Sequence, residues 1–181
     1  MRGKFLVSLC RASLVVGGGA VVLSALLLVP GASAENNGLI NQVIPREQVA
    51  YGRTYADWTA AWWQWAFSIP LASNPLFDNG PCTIGQSGPV FFLGGSFTTP
   101  IVTRNCTVPA GKALFFPILN QEESVDEEKV NPFVPGSPAL TVNALRALLE
   151  PTFDIATDLQ VDLDGKSLKD LQPFRIQSPP L

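Results

Sequence analysis

The stretch that most constrains this chain is Thr54 to Pro70, "TYADWTAAWWQWAFSIP", which carries all four of its tryptophans. At 100° per residue Tyr55, Trp58, Trp62, Trp65 and Ile69 fall within about 80° of one another, and Trp63 and Phe67 lie on an adjoining face. This predicts one helix with a very wide apolar arc, relieved only by Asp57, Gln64 and Ser68. Thr54 followed three residues later by Asp57 is a capping-box pattern, with the Asp57 carboxylate at the positive end of the helix dipole. Pro70 cannot continue the hydrogen-bond ladder and marks the other end. Four tryptophans at core spacing are read as packing, which requires a partner layer broad enough to cover them. Trp63 leaves the main stripe and is the candidate for a ligand-binding aromatic.

Residues 1–34 read as a secretory signal peptide. Arg2, Lys4 and Arg11 precede an apolar run from Ala12 to Val29, Pro30 and Gly31 break it, and Ala32-Ser33-Ala34 fits a cleavage site. The alternative is a retained membrane anchor, because the run is just long enough to span. With cleavage at Glu35, residues 35–181 form a single β-rich domain of one core. Nine basic against fifteen acidic residues then leave a net charge of −6 without a basic cluster. Nucleic acid is excluded as a partner on that ground, and no further segment predicts a membrane span.

Cleavage removes Cys10 and leaves Cys82 and Cys106 as an isolated pair in an exported chain, where a disulfide is the default. Closing a loop of about 25 residues contributes about 3.5 kcal/mol in the chain-entropy view.

Residues 35–52 are read as an extended lead-in because Pro45 interrupts them. Between Pro70 and Gly88 the Asn-Pro, Asp-Asn-Gly-Pro and Ser-Gly-Pro runs specify a loop. "PVFFLGG" (Pro89–Gly95) is a continuously apolar run closed by Gly94 and Gly95, which indicates a strand buried on both faces or at a bend. Phe97 to Cys106 is a second candidate strand, and Val108 to Lys112 a turn leading, in a hairpin, into the buried strand of "ALFFPILN". Thr141 caps a short second helix with Leu145, Leu148 and Leu149 on one side and Pro151 at its end. Leu159, Val161 and Leu163 alternate with polar residues, and Asp164-Gly165 signals a hairpin returning towards Phe174–Gln177. The expected fold is mainly β: an antiparallel β-sandwich or jelly-roll-like domain with the tryptophan-rich helix across one sheet. The last hairpin lacks an obvious cover for its outer edge, so further C-terminal strands are expected beyond Ser178.

Tyr51-Gly52-Arg53-Thr54, the "WTAAWWQW" helix, Asn74-Pro75, Gly80 with Cys82, Gly85-Gln86-x-Gly88, the Phe91-Phe92-Leu93-Gly94 strand and "RNCTVPAGKALFFPILN" resemble a family of uncharacterised exported bacterial proteins. The likeness spans residues 50–120 and, more loosely, 161–179. It implies the Cys pair and the hairpin, and strand-like sequence past Ser178, and carries no activity.

There is no histidine. That removes Ser-His-Asp and Cys-His catalysis, histidine zinc sites and imidazole acid/base chemistry. Carboxylate chemistry remains: Asp57, Asp78 and the Glu122 to Glu128 group are the residues a carbohydrate hydrolase would draw on. Calcium is the second use of the acidic run, with Glu122, Glu123, Asp126 and Glu128, helped by Asn120, as oxygen ligands. Arg104 and Lys112 are read as surface charges. Three functions follow: an exported, non-catalytic binding or structural domain in the envelope or outside the cell, with carbohydrate or an envelope protein as partner and no cofactor; a secreted carboxylate-dependent hydrolase; and a calcium-stabilised adhesion module.

Overall fold

A computed structural model describes residues 43–77, 79–98, 101–124, 141–163 and 166–181, together with the backbone of Ala25–Leu28. Helix α1 spans Tyr55–Ser68, and its capping box is formed in both directions: the Asp57 N–H donates to Thr54 Oγ1 at 3.2 Å and the Thr54 N–H donates to Asp57 Oδ2 at 3.1 Å. Ile69 closes the helix in an extended conformation just before Pro70.

The C-terminal carbonyls of α1 are satisfied from the following loop. Buried Asn74 donates from Nδ2 to Ala66 O at 2.9 Å and Ile69 O at 3.2 Å, while its Oδ1 accepts from the Leu76 N–H. One-turn 3-10 helices at Leu71–Ser73 and Pro75–Phe77 fold this loop tightly. A Cβ on Gly80 would sit 1.9 Å from Ser73 O, so only glycine fits there.

The sheet under α1 is small and mixed. Strand β1 (Ala25–Leu28) pairs antiparallel with β3 (Ala113–Pro117), and β2 (Val90–Phe92) pairs parallel with the other edge of β3, giving the order β1-β3-β2. Alternation divides its side chains between two layers. Val90, Phe92, Ala113 and Phe115 pack with the stripe of α1, whereas Phe91, Leu93, Leu114 and Phe116 pack with Val43, Cys82 and Leu163 beneath. Burial on both faces is why these strands read as unbroken apolar runs. Gln86 continues the ladder beside β2: its side-chain amide accepts from the Phe92 N–H at 2.9 Å and donates to Phe92 O at 2.8 Å.

Helix α2 spans Val142–Asp154, capped by Thr141. Strands β4 (Val161–Leu163) and β5 (Lys166–Leu168) form a separate antiparallel pair, with Leu163 opposite Lys166. A single 3-10 turn at Gln172–Phe174 precedes the terminal segment.

The sandwich or jelly-roll expectation is therefore wrong. Among the described residues two α-helices accompany a three-stranded sheet and a two-stranded one, too little sheet for two packed layers. Among the described residues 97–106 form no strand, and β3 pairs in parallel with β2 rather than in a hairpin across residues 108–112. The turn at Ala110–Gly111 exists, but the chain before it runs unpaired, held by Arg104 Nη2 donating to Gly95 O and by Cys106 at disulfide distance from Cys82, with Cα atoms 5.8 Å apart. Pro151 lies inside α2 instead of ending it, because one more turn buries Phe153. The β4 return strand is Lys166–Leu168, close behind the turn signal, and not Phe174–Gln177. Asp164 and Gly165 lie outside the described residues.

Candidate functional site

Three of the four indoles are tied to backbone. Trp58 Nε1 donates to Ala50 O at 2.8 Å, Trp62 Nε1 to Leu93 O at 2.9 Å and Trp65 Nε1 to Ile84 O at 3.0 Å. These bonds link α1 to the lead-in, to the end of β2 and to the disulfide loop. Buried indole N–H groups need such acceptors. The Arg53 guanidinium also lies 5.0 Å over the Trp58 ring. Gly85, at φ +65°, lets the loop cross the Trp65 indole, where a Cβ would lie 3.1 Å from Nε1.

Trp63 differs. It is only 4% exposed, meets Trp62 edge-on at 5.1 Å and stacks on Phe67 at 5.1 Å, yet its indole makes no hydrogen bond with a described residue. Phe67, one turn on, is 59% exposed. Trp63 and Phe67 form one wall of a cavity of about 450 Å³, within the range of small-molecule sites.

The opposite wall is α2, which presents Val142, Leu145, Leu149 and Phe153. Spacing of three and four residues puts these on one face. Leu145 and Phe153 are buried and Leu149 half-buried, whereas Leu148 points away, 52% exposed. The remaining sides come from residues 121–124 and the terminal segment 175–181. The terminal segment is held by two arginines. Arg146 Nη2 donates to Ser178 O at 3.0 Å, and Arg175 pairs with Asp154 while lying 5.1 Å over the Phe153 ring.

The cavity has a polar end. Gln121 is 6% exposed, and its Oε1 is sealed from solvent without a hydrogen-bond partner among the described residues. Asn120, which does not line the cavity, also has its Oδ1 buried without a partner among the described residues. Glu122 and Glu123 line the cavity beside Gln121, and Glu150 lines it from α2. Leaving a buried amide oxygen without a donor costs about 1–3 kcal/mol; the Gln121 oxygen is closed off from the cavity as well as from bulk water.

The residues singled out by sequence separate accordingly. Trp63, Glu122 and Glu123 come together at the cavity; Asp78, Asp126 and Glu128 lie outside the described residues. Among the described residues no three carboxylate or thiol side chains converge on a point where a metal ion would sit. Asp57 is spent on the helix cap. Its carboxyl is held below the ordinary aspartate range, first by the Thr54 hydroxyl, then by the Thr54 N–H, with Arg53 adding to the effect. Asp162 is held down by the Ser167 hydroxyl and the Gln160 amide across the β4–β5 pair. Both shifts run opposite to those of a general acid at neutral pH. Arg104 and Lys112 are not idle surface charges: Arg104 donates to Gly95 O and Lys112 Nζ to Gly88 O.

Sequence reasoning missed Gln121, Phe153 and Arg175. Only Phe153 had a signal, the spacing Leu145, Leu149, Phe153 on one helical face, hidden by treating Pro151 as a stop. Compared with known protein families, curated proteins and solved structures, the chain matches none. No described helix is long and apolar enough to cross a membrane.

Proposed function

We propose that this protein is an exported, non-catalytic binding domain whose site is the cavity between α1 and α2. One observation supports this above the others: a preformed, mostly apolar cavity of about 450 Å³ is bordered by Trp63, the one indole of α1 that makes no hydrogen bond with a described residue. The signal-like residues 1–34 and the Cys82–Cys106 pair support export. In the uncleaved chain Ala25–Leu28 adds an edge strand to β3, so cleavage at Glu35 uncovers that edge.

The test is saturable binding of a neutral apolar dye such as Nile red to wild type and to Leu149→Trp, which fills the cavity with a larger ring. One-to-one binding that disappears in the variant is the expected result; equal binding by both proteins contradicts the assignment.

A hydrolase is the second reading, favoured by Glu122, Glu123 and Glu150 lining one concavity. Turnover of a nitrophenyl glycoside that vanishes in Glu122→Gln or Glu123→Gln would replace the binding assignment with this one. The calcium reading rests on Asp126 and Glu128 as much as on Glu122 and Glu123; a rise in the thermal midpoint with calcium, absent in Glu122→Gln/Glu123→Gln, is its expected signature.

A further inference from the structure

The two outer edges of the three-stranded sheet are finished in different ways. Backbone groups of successive residues along a strand point to opposite sides of it. On β2 the Leu93 N–H donates to Phe115 O at 3.0 Å, so Leu93 faces β3 and Phe92 faces outward, where the Gln86 amide takes up both the Phe92 N–H and the Phe92 C=O. That edge is closed from within the chain. On β3 the Ala113 N–H donates to Pro89 O at 3.1 Å and Phe115 O accepts from Leu93, so Ala113 and Phe115 face β2, and Leu114 and Phe116 face the other way, toward β1. With β1 in place both are 6% exposed. Pro117 is in phase with Ala113 and Phe115, so its missing N–H takes nothing from this second edge.

Among the described residues only β1 pairs with that edge, with Leu28 opposite Leu114 and Leu26 opposite Phe116. β1 lies within the signal-like residues 1–34, and the inference rests on the export reading, in which cleavage at Glu35 removes it. The N–H and C=O groups of Leu114 and Phe116 then lose their partners, on a strand that carries no charge to keep another strand away. A second copy of β3 fits the place. Ala113-Leu114-Phe115-Phe116 repeats the order of Ala25-Leu26-Leu27-Leu28, an alanine followed by three large apolar residues. Laid in the register of β1, it sets Leu114 of each chain opposite Phe116 of the other and Phe115 opposite its own copy. That pairing is antiparallel and two-fold symmetric, and both chains direct the same two residues into it. We propose that the processed protein is a dimer in which the β3 strands of two copies join into a four-stranded sheet, β2-β3-β3-β2, with both outer edges closed by Gln86.

The experiment takes the oxidised protein as it is exported and processed, reads its N-terminus by intact mass, and combines sedimentation equilibrium with NMR of ¹³C-labelled and unlabelled chains refolded together from urea. The expected result is a mass of two chains, a cross-peak between the Phe115 Hα protons of the two subunits, and Leu114 and Phe116 amides that exchange as slowly as those of Ala113 and Phe115. A dimer without the Phe115 cross-peak would place the contact elsewhere and overturn the proposal. So would a monomer whose Leu114 and Phe116 amides are protected, because its own chain would then cover the edge, or a monomer in which they exchange freely. Association beyond the dimer would overturn the closed pairing. Retention of residues 1–34 in the exported protein would overturn the export reading and this proposal with it, whereas a monomer that has lost them overturns the proposal alone.

Discussion

The two faces of α1 were built by opposite rules. On the stripe of Trp58, Trp62 and Trp65 every indole N–H reaches a backbone carbonyl, and the rings interlock with Phe92 and Phe115 of the sheet, with Trp58 to Phe92 at 6.2 Å and Phe92 to Phe115 at 5.9 Å. On the adjoining face Trp63, whose indole makes no hydrogen bond with a described residue, and Phe67 border a cavity. Both faces are aromatic, so aromatic content does not separate structure from function in this molecule. The separation lies in hydrogen-bond satisfaction: where each buried polar atom has a partner the face is fully explained by packing, and where one lacks a partner the face has capacity to receive something.

The largest expected effect sharpens that contrast. Trp62→Ala removes a ring that is 1% exposed together with its bond to Leu93 O, and should cost about 3–5 kcal/mol in urea unfolding. Phe67→Ala, on the cavity face, removes a half-solvated ring and should cost less than about 1.5 kcal/mol. Similar losses at both sites would erase the distinction. Next in size, Cys82→Ala/Cys106→Ala should lower stability by about 3.5 kcal/mol. Because the disulfide loop carries the Ile84 carbonyl that receives Trp65, the double variant should also shift the tryptophan emission of the folded protein to longer wavelength. A folded-state spectrum unchanged from wild type would show that the loop is held without the bridge.

The smallest effect concerns the cap of α1. Asp57 and Asp162 have folded-state pKa values below the unfolded value of about 3.9. A depressed carboxyl contributes stability that is fully present above the unfolded pKa and is lost as pH falls through the folded one. Unfolding midpoints should therefore hold from neutral pH down to about pH 5 and decline below about pH 4. Asp57→Asn should flatten part of that decline while leaving the cavity face untouched. An identical acid limb in the variant would mean that the capping carboxylate is not linked to folding.

How much of this was legible in the chain depends on whether a rule is local. The capping box of Thr54 and Asp57, the stop at Pro70 and the cap at Thr141 act within one turn, and the structure follows all three. Strands β2 and β3 were visible as unbroken apolar runs because their burial on two faces imprints directly on sequence. Their parallel pairing was not, since the turn at Ala110–Gly111 looks like a hairpin and nothing local reveals that the described residues between 97 and 106 form no strand. The jelly roll fails for the same reason: it needed those residues as a strand. At the cavity, Trp63, Glu122 and Glu123 stood out by type. Gln121 did not, because an ordinary glutamine becomes informative only when folding seals its oxygen away from water and from donors.

The central claim, that Trp63 stands apart from the other three indoles, is tested most directly by the indole ¹H–¹⁵N resonances. The account predicts slow hydrogen exchange for Trp58, Trp62 and Trp65, faster exchange for Trp63, and a shift of the Trp63 resonance above all others when Nile red is added. Four equally protected indoles, or Nile red moving a resonance of the buried stripe while leaving Trp63 in place, would contradict it.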